Sequence, residues 1–282
     1  MEVFEQKDPL SEHIGFLKKK GLYIGLVPTM GALHKGHLSL VKTALTENDI
    51  VVVSIFVNPT QFDNKTDLKK YPKTFEKDLK ILEGASENII VFAPTVDEIY
   101  KKNVKSQKFD FDGLEFEMEG KFRKGHFDGV GTIVKQFFEI VKPHNAYFGE
   151  KDYQQLLVIK KMAEKHAMPV NIVGCPISRE LNGLAMSSRN ERLSAEVREK
   201  ASFIYHTLLM AKQMFGTKSA VHITEWVEKE FSKNKLFKLE YFVIAESNTL
   251  KAVKRKKKNE SYRAFIAVYA NNVRLIDNIA LN

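Results

Sequence analysis

Two histidines, His34 and His37, lie in a short turn between an apolar run at 22–27 and a helical pattern at 38–45. At a strand-to-helix junction, free backbone N–H groups and the positive end of the helix dipole favour a bound phosphate. Residues three apart on a helix share one face, so both imidazoles can point toward the same phosphate. Gly36 lets the backbone approach a ligand without a side-chain clash. The turn therefore predicts nucleotide chemistry.

Motifs of other phosphate, metal and nucleophile sites are missing from the sequence. It contains no G-x-x-x-x-G-K-[ST] loop, no Cys/His set with zinc spacing and no G-x-S-x-G elbow. The glycine pair Gly129 and Gly131 does not follow a strand-like run, so a dinucleotide site is unsupported. The H-x-G-H motif that remains is a variant of the one in adenylate-forming and nucleotidyl-transferring enzymes, where a carboxylate attacks an α-phosphate and pyrophosphate leaves. Positioning and charge stabilisation carry most of such a reaction.

Strand-like and helix-like segments alternate from residue 22 to about 175. The run 50–57 is almost continuously apolar, as expected for a strand that is buried on both faces. This alternation predicts an α/β fold, a Rossmann-like parallel sheet with helices on both faces. Ligands of such sheets bind beyond the carboxyl ends of the strands. We therefore expect three loops to line the site: Pro28–His37, Asn58–Gln61 and Gly149–Lys151.

The alternation stops after about residue 175. Ser194 is a candidate N-cap of a helix that reaches about Phe215, a second helical pattern covers 220–231, and three strand-like runs follow. Helices followed by short strands are typical of an α+β domain. We therefore expect two domains, 1–178 with the parallel sheet and 179–282 as a smaller C-terminal α+β domain.

The net charge of +9 suits either nucleic acid or anionic substrates. The lysine-rich run 254–258 lies between two strand-like runs and has no interleaved aromatic residues, which favours an exposed hairpin loop over a nucleic-acid patch.

No apolar run approaches the roughly 20 residues of a membrane helix, and the N-terminal segment lacks the pattern of a signal peptide. A single cysteine, Cys175, suits a reducing compartment. We expect a cytoplasmic enzyme with no nucleic-acid or membrane partner.

Five segments carry the chemistry-bearing residues in a fixed order, and a sixth lies near the C-terminus. They are Pro28–His37, Phe56–Phe62, Arg123–Val130, Phe148–Gln155, Met186–Asn190 and Arg274–Asn278. Together they resemble the motifs of the pantoate–β-alanine ligase family, in the nucleotidyl-transferase superfamily with the HxGH motif. The resemblance covers essentially the whole chain.

This resemblance implies an ATP-dependent condensation of (R)-pantoate with β-alanine that yields pantothenate, AMP and pyrophosphate, with Mg²⁺. A pantoyl adenylate would form first, and the β-alanine amine would then attack its acyl carbon. The resemblance further implies an ATP- and pantoate-binding catalytic domain at 1–178, a small domain at 179–282 that covers the active site, and a homodimer. Partners would be the small-molecule substrates.

The resemblance also implies roles for matched residues. His37, by the family's convention the proton donor, would act with His34 and Lys151 in catalysis. Gln61, Gln155 and Asn58 would bind pantoate, and Gln61 would also contact β-alanine. Residues matched to ATP binding are Met30, Gly31, Ala32, Leu33, His34, Lys35, Gly36, His37, Gly149, Glu150, Lys151, Asp152, Ser178, Met186, Ser187, Ser188 and Arg189.

Some positions stay open or depart from the family pattern. Arg123 and His126 are candidates for contacts to phosphate or to a loop, and Asp78 is a weak candidate for a carboxylate near the metal, whose ligands are unassigned. Ser178 stands where an aliphatic residue is usual, and the turn after Tyr269 lacks a common glycine. Two alternatives remain: another adenylyl-transferring enzyme of the superfamily, which would need neither substrate glutamine, and an RNA-binding module, suggested by the positive charge.

Overall fold

The computed structural model describes residues 1–63 and 65–282. They form two compact units. The first unit contains Met1–Glu150 and Gln155–Pro176, and the second contains Lys151–Gln154 and Ile177–Asn282. A four-residue segment from the middle of the chain therefore packs with the C-terminal unit.

The first unit is built on a six-stranded parallel sheet with the strand order β1-β4-β3-β2-β5-β6. Strands β2, β3 and β4 are almost completely buried because their side chains are apolar on both faces. The strands are β1 (Glu2–Phe4), β2 (Ile24–Thr29), β3 (Ile50–Ile55), β4 (Ile89–Phe92), β5 (Asn145–Gly149) and β6 (Asn171–Cys175). The predicted parallel α/β sheet is confirmed.

Helices flank this sheet, and most of them follow a strand. The most apolar is α7, which buries eleven of its sixteen residues. The helices that begin before residue 160 are α1 (Lys7–Lys19), α2 (Lys35–Glu47), α3 (Lys65–Lys70), α4 (Phe75–Glu83), α5 (Val96–Tyr100), α6 (Met118–Phe122), α7 (His126–Val141) and α8 (Tyr153–Lys165). In the described ranges 1–63 and 65–282, no helix is both long and apolar enough to cross a membrane.

The second unit packs three helices on a three-stranded antiparallel sheet with the order β7-β8-β9. Eight of the nine residues of its central strand are buried. The elements are α9 (Ala195–Lys200), α10 (Ser202–Phe215), α11 (Ala220–Ser232), β7 (Phe237–Glu246), β8 (Tyr262–Ala270) and β9 (Val273–Ala280).

Two local features differ from the sequence expectation or complete it. The single helix expected from Ser194 to Phe215 is wrong: Ser194 caps α9, and buried Ala201 separates α9 from α10. At this junction the Ile204 N–H bonds to the Ala201 carbonyl three residues earlier, the tighter bond of a 3-10 turn. In the β8–β9 turn, Asn271 takes the left-handed conformation (φ 51°) that a glycine would offer, because asparagine tolerates it.

Candidate active site

The histidine turn, residues 30–37, connects the end of β2 to the start of α2. His34 is the N-cap of α2, and its Nδ1 accepts a hydrogen bond from the Gly36 N–H at 3.1 Å. The His37 Nδ1 in turn accepts from the His34 N–H at 3.4 Å, and the ring centroids are 4.1 Å apart. A neutral imidazole that accepts at Nδ1 carries its proton on Nε2. The local capping therefore makes both rings donors at Nε2.

A buried carboxylate from α4 holds the same turn. The Asp78 side chain accepts from the Ala32 N–H at 2.9 Å, the Leu33 N–H at 2.8 Å and the Thr74 hydroxyl at 3.1 Å, and Asp78 is only 1% exposed. The turn needs this support because Gly31 and Ala32 have φ values of 77° and 51°. A left-handed alanine costs on the order of 1 kcal/mol. Asp78 thus fixes the conformation that presents the histidines.

Sequence reasoning considered Asp78 only as a weak candidate near a metal. Both of its oxygens instead accept backbone N–H groups. These bonds connect residues 46 and 45 positions apart, so no local motif could have shown them. Among the residues that the structure describes, no group of three or more His, Cys, Asp or Glu side chains could hold a metal ion.

The loop after β3 brings together three predicted site residues, Met30, Asn58 and Gln61. Asn58 is 1% exposed, and its Nδ2 donates to Gln61 Oε1 at 3.2 Å and to the Gly129 carbonyl at 3.0 Å. The Gln61 Nε2 lies 2.8 Å from the Met30 sulfur. The Tyr100 hydroxyl donates to Asn58 Oδ1 at 2.6 Å. Burial raises the pKa of Tyr100, so this donor keeps its proton.

The start of α7 fixes the backbone of Gln61. The Gln61 carbonyl accepts from His126 Nδ1 at 2.8 Å, which leaves His126 Nε2 to accept from Arg123 Nη1 at 3.1 Å in a neutral ring. A Cβ atom at Gly129 would lie 2.4 Å from the Thr60 carbonyl, so only glycine permits this close approach. Arg123 and His126 were candidates for contacts to phosphate or to a loop. The contacts observed here are to the loop that carries Gln61.

Gln155, the other expected pantoate residue, is partly buried near the start of α8 in the first unit. No hydrogen bond within the described ranges joins its side chain to Asn58 or Gln61.

Gly149 ends β5, and Glu150–Asp152 form a 3-10 turn that leads into α8. Lys151 and Asp152 belong to the second unit, where the Lys151 ammonium lies 3.7 Å from the Asp152 carboxylate and its side chain is 19% exposed.

The remaining ATP candidates lie at the beginning of the second unit. The Ser178 carbonyl accepts from the Met186 N–H at 2.9 Å, so these two residues are adjacent through their backbones. Ser187 caps the 3-10 helix Ser188–Arg192 and accepts from the Arg189 N–H at 3.3 Å. Ser188 is buried and Arg189 partly buried. The conformation of this segment is therefore held by its own hydrogen bonds and by burial.

Arg179, next to Ser178, forms a bidentate pair with Asp277 of β9, with N–O distances of 2.6 and 3.0 Å. Asp277 is 5% exposed, and burial raises the pKa of its carboxyl while the Arg179 guanidinium opposes that rise. The Arg179 guanidinium also lies 3.7 Å from the centre of the Tyr205 ring. This pair joins the segment that carries Ser178 to the last strand of the sheet.

Comparisons with known proteins agree with this arrangement. The sequence model of the family described as Pantoate-beta-alanine ligase matches residues 2–280. The pantothenate synthetases of Christiangramia forsetii and Flavobacterium psychrophilum are 58% and 56% identical, over 100% of both chains in each case. The crystal structure of the Thermus thermophilus pantothenate synthetase superposes with a TM-score of 0.88 at 37% identity, covering 100% of this chain and 99% of that one.

A second solved structure adds ligands. The Francisella tularensis pantoate-beta-alanine ligase, complexed with beta-gamma ATP and beta-alanine, superposes with a TM-score of 0.81 at 35% identity. The match covers 100% of this chain and 98% of that one. The chain described here belongs to the pantoate–β-alanine ligase family.

Proposed function

We propose that this chain condenses (R)-pantoate with β-alanine and converts ATP to AMP and pyrophosphate, through a pantoyl-adenylate intermediate. Family membership over residues 2–280 supports the reaction. The observation in the fold that carries it is the histidine turn, where two imidazoles are capped so that each donates at Nε2. Such donors suit the phosphoryl oxygens of an adenylating enzyme.

In the first step, the pantoate carboxylate attacks the α-phosphorus of ATP and the bond to pyrophosphate breaks. Negative charge grows on the phosphoryl oxygens as the transition state forms. His37 and His34 stabilise this charge by hydrogen bonds from Nε2, and the N-terminal end of α2 adds its dipole. Because Asp78 and the cap bonds fix the turn beforehand, little reorganisation is needed at the moment of reaction.

Gln61 and Gln155 are the proposed pantoate ligands. A glutamine amide can donate to the carboxylate and accept from a hydroxyl, as a hydroxy acid requires. Gln61 would then contact β-alanine in the second step, when the amine attacks the acyl carbon and AMP leaves. The amide of Asn58 is already bonded to Tyr100, Gly129 and Gln61 itself, so Asn58 contributes to the pantoate site by orienting Gln61.

Further ATP contacts are proposed for Lys151, Asp152 and the segment 186–189. Lys151 and Arg189 would neutralise the departing pyrophosphate, with hydroxyl donors from Ser187 and Ser188. Asp152 would accept from ribose hydroxyls. The remaining proposed ATP residues are Met30, Gly31, Ala32, Leu33, Lys35, Gly36, Gly149, Glu150, Ser178 and Met186.

Mg²⁺ is proposed to be held mainly by the nucleotide. Mg²⁺ keeps several waters and usually binds through substrate phosphates and few carboxylates. In the part of the chain that the structure describes, no cluster of His, Cys, Asp or Glu offers an all-protein cage. This fits a metal that supplies charge neutralisation on the phosphates, while the residues above bind and orient the substrates.

A homodimer in a reducing cytosol is also proposed. The dimer rests on the family resemblance, and sedimentation velocity at micromolar concentration tests it. The compartment is supported by the single cysteine, Cys175, which is buried, and burial raises the pKa of its thiol. A packed thiol of this kind has no disulfide partner in the chain.

The central experiment measures exchange of labelled pyrophosphate into ATP, with and without pantoate. We expect exchange that depends on pantoate and on Mg²⁺, and pantothenate with AMP once β-alanine is added. The matched control replaces pantoate by a hydroxy acid of different carbon skeleton. Exchange that is independent of pantoate, or adenylate formation without pantothenate, would overturn the proposal.

A further inference from the structure

The motif Arg274–Asn278 near the C-terminus resembles the family pattern, but the resemblance implies no role in the reaction for it. In the structure it lies on β9, and its last residue, Asn278, is 2% exposed. The Asn278 Nδ2 donates to the Lys151 carbonyl at 2.9 Å, across 127 positions of sequence. A buried side chain of the last strand therefore binds the backbone of a proposed catalytic residue.

The orientation of the Asn278 amide is determined by its neighbours. Its Oδ1 accepts from the Arg263 guanidinium, which has donors only. The amide nitrogen must then face an acceptor, and the Lys151 carbonyl is that acceptor. The Arg263 guanidinium itself lies 4.0 Å from the centre of the Tyr153 ring, two residues after Lys151. Two contacts thus connect β8 and β9 to the segment 151–154.

A second pair stabilises Asn278 from the other side. The Asp277 carboxylate accepts from the Asn278 N–H at 2.7 Å and binds Arg179 in the bidentate pair described above. The Arg179 guanidinium also reaches the Asn278 carbonyl at 3.4 Å. Asn278 is therefore held at its backbone by Asp277 and Arg179 and at its side chain by Arg263.

These contacts agree with the division into units. Glu150 and Gln155 belong to the first unit, whereas Lys151–Gln154 belong to the second. We infer that Asn278 is a positioning residue for Lys151, which it fixes to the C-terminal sheet. The inference rests on the proposed role of Lys151 and extends it: the C-terminal motif places the lysine ammonium for the phosphates, without itself contacting ATP.

The test uses Asn278→Asp in the full chain, because a carboxylate keeps the pairing with Arg263 but cannot donate to the Lys151 carbonyl. We expect kcat for pantoate-dependent exchange to fall about tenfold or more, as for other small displacements of a catalytic group. The KM for pantoate should be unchanged, since Gln61 and Gln155 lie in the first unit. Asn272→Asp, the same change at an exposed position of the same unit, should leave kcat unchanged.

A double-mutant cycle separates positioning from a merely structural effect. In a Lys151→Ala background, Asn278→Asp should cause no further loss of kcat, because its effect passes through the missing ammonium. Losses that multiply would overturn the inference, and so would wild-type kcat in Asn278→Asp. Asn278→Ala, which introduces no buried carboxylate, should give the same pattern.

The acetylation rate of Lys151 can be measured without any enzyme activity, so it tests the positioning role separately from the proposed function. Lys151 is largely buried, so its acetylation by acetic anhydride, followed by mass spectrometry, should be slow relative to that of exposed Lys160. Asn278→Asp should raise the Lys151 rate a few-fold and leave the Lys160 rate unchanged. An unchanged Lys151 rate would contradict the positioning role, whereas Lys151→Ala with wild-type exchange would contradict the role of Lys151 in the reaction.

Discussion

The histidine turn (residues 30–37) and the Lys151 turn (Glu150–Asp152) are the same kind of element, but hydrogen bonds of opposite polarity hold them. Each follows a strand of the parallel sheet and leads into a helix. In the first, backbone N–H groups donate to the carboxylate of Asp78 from the same unit. In the second, a backbone carbonyl accepts from the amide of Asn278 in the C-terminal sheet. The histidine turn thus belongs to the unit of the parallel sheet, whereas Lys151 belongs to the unit of the C-terminal sheet.

The difference has a physical origin in the backbone groups that each turn exposes. In the turn before α2, the N–H groups of Ala32 and Leu33 need an acceptor, and the buried carboxylate of Asp78 accepts from both. The Lys151 carbonyl needs a donor, and an asparagine can donate while its oxygen is occupied elsewhere. The partner of each turn is therefore selected by hydrogen-bond polarity and by packing rather than by its position along the chain.

The largest expected effect is at the histidine turn itself. His37→Ala should lower the rate of pantoate-dependent exchange by about 10²-fold or more, because one donor to the transition state is lost. His222→Ala, at an exposed position of α11, is the matched control. If the His37→Ala rate is within a few-fold of wild type, His37 does not have the proposed role.

The second prediction breaks the anchor of that turn. Asp78→Asn replaces one acceptor oxygen by an amide nitrogen that faces a backbone N–H, so a buried donor loses its partner. We expect a loss of about 1–3 kcal/mol in the free energy of unfolding, measured by urea denaturation. Pantoate-dependent exchange of pyrophosphate into ATP should also be slower. Asp97→Asn, at an exposed position of α5, should change neither quantity. Unchanged stability in Asp78→Asn would show that the turn holds itself.

The third prediction uses two residues that are four positions apart but belong to different units. Gln155→Ala should raise the KM for pantoate several-fold with little change in the apparent KM for ATP. Lys151→Ala should show the reverse pattern, with a lower kcat and a nearly constant KM for pantoate. Steady-state kinetics with each substrate varied in turn measures both. The same kinetic signature in the two variants would contradict the division of roles.

The smallest expected effect is on the pH dependence of stability. It concerns His144, whose ring nitrogen accepts a backbone N–H as that of His34 does. His144 Nδ1 accepts from the Ile24 N–H at 2.8 Å, as His34 Nδ1 does from Gly36. Burial, and then the Lys18 ammonium, lower the pKa of His144 below its ordinary 6.5. The folded state therefore favours the neutral ring, so this contribution to stability is complete above pH 6.5. It is lost as the pH falls through the lowered value.

The measurement is the urea midpoint between pH 7.5 and pH 5. His144→Asn keeps an acceptor for the Ile24 N–H but does not titrate, so its midpoint should fall less steeply over this range than that of the wild type. His13→Asn, at a partly exposed position of α1, serves as the control for the same substitution at another histidine. Parallel midpoint curves for wild type and His144→Asn would refute the assignment.

Much of the fold could be predicted because its signals are local. The apolar runs at 22–27 and 50–57 correspond to β2 and β3, and the helical pattern after His37 corresponds to α2. By contrast, the three-residue strand β1 was not predicted, since a segment of this length shows no periodicity. Its place at the sheet edge depends on pairing with β4, where Glu2 lies opposite Ile90, far away along the chain.

The sequence by itself determined the chemistry: the H-x-G-H motif and the two glutamines proposed to bind pantoate are patterns of residue type and spacing, and with the other motifs they point to the family. Only the tertiary structure decided what holds those residues in place. Asp78, His126 and Asn278 act through bonds to backbone groups 45 to 127 positions away. A backbone N–H or carbonyl is the same at every position, so no sequence pattern records which one a distant side chain will bind. Packing within each of the two units makes that selection.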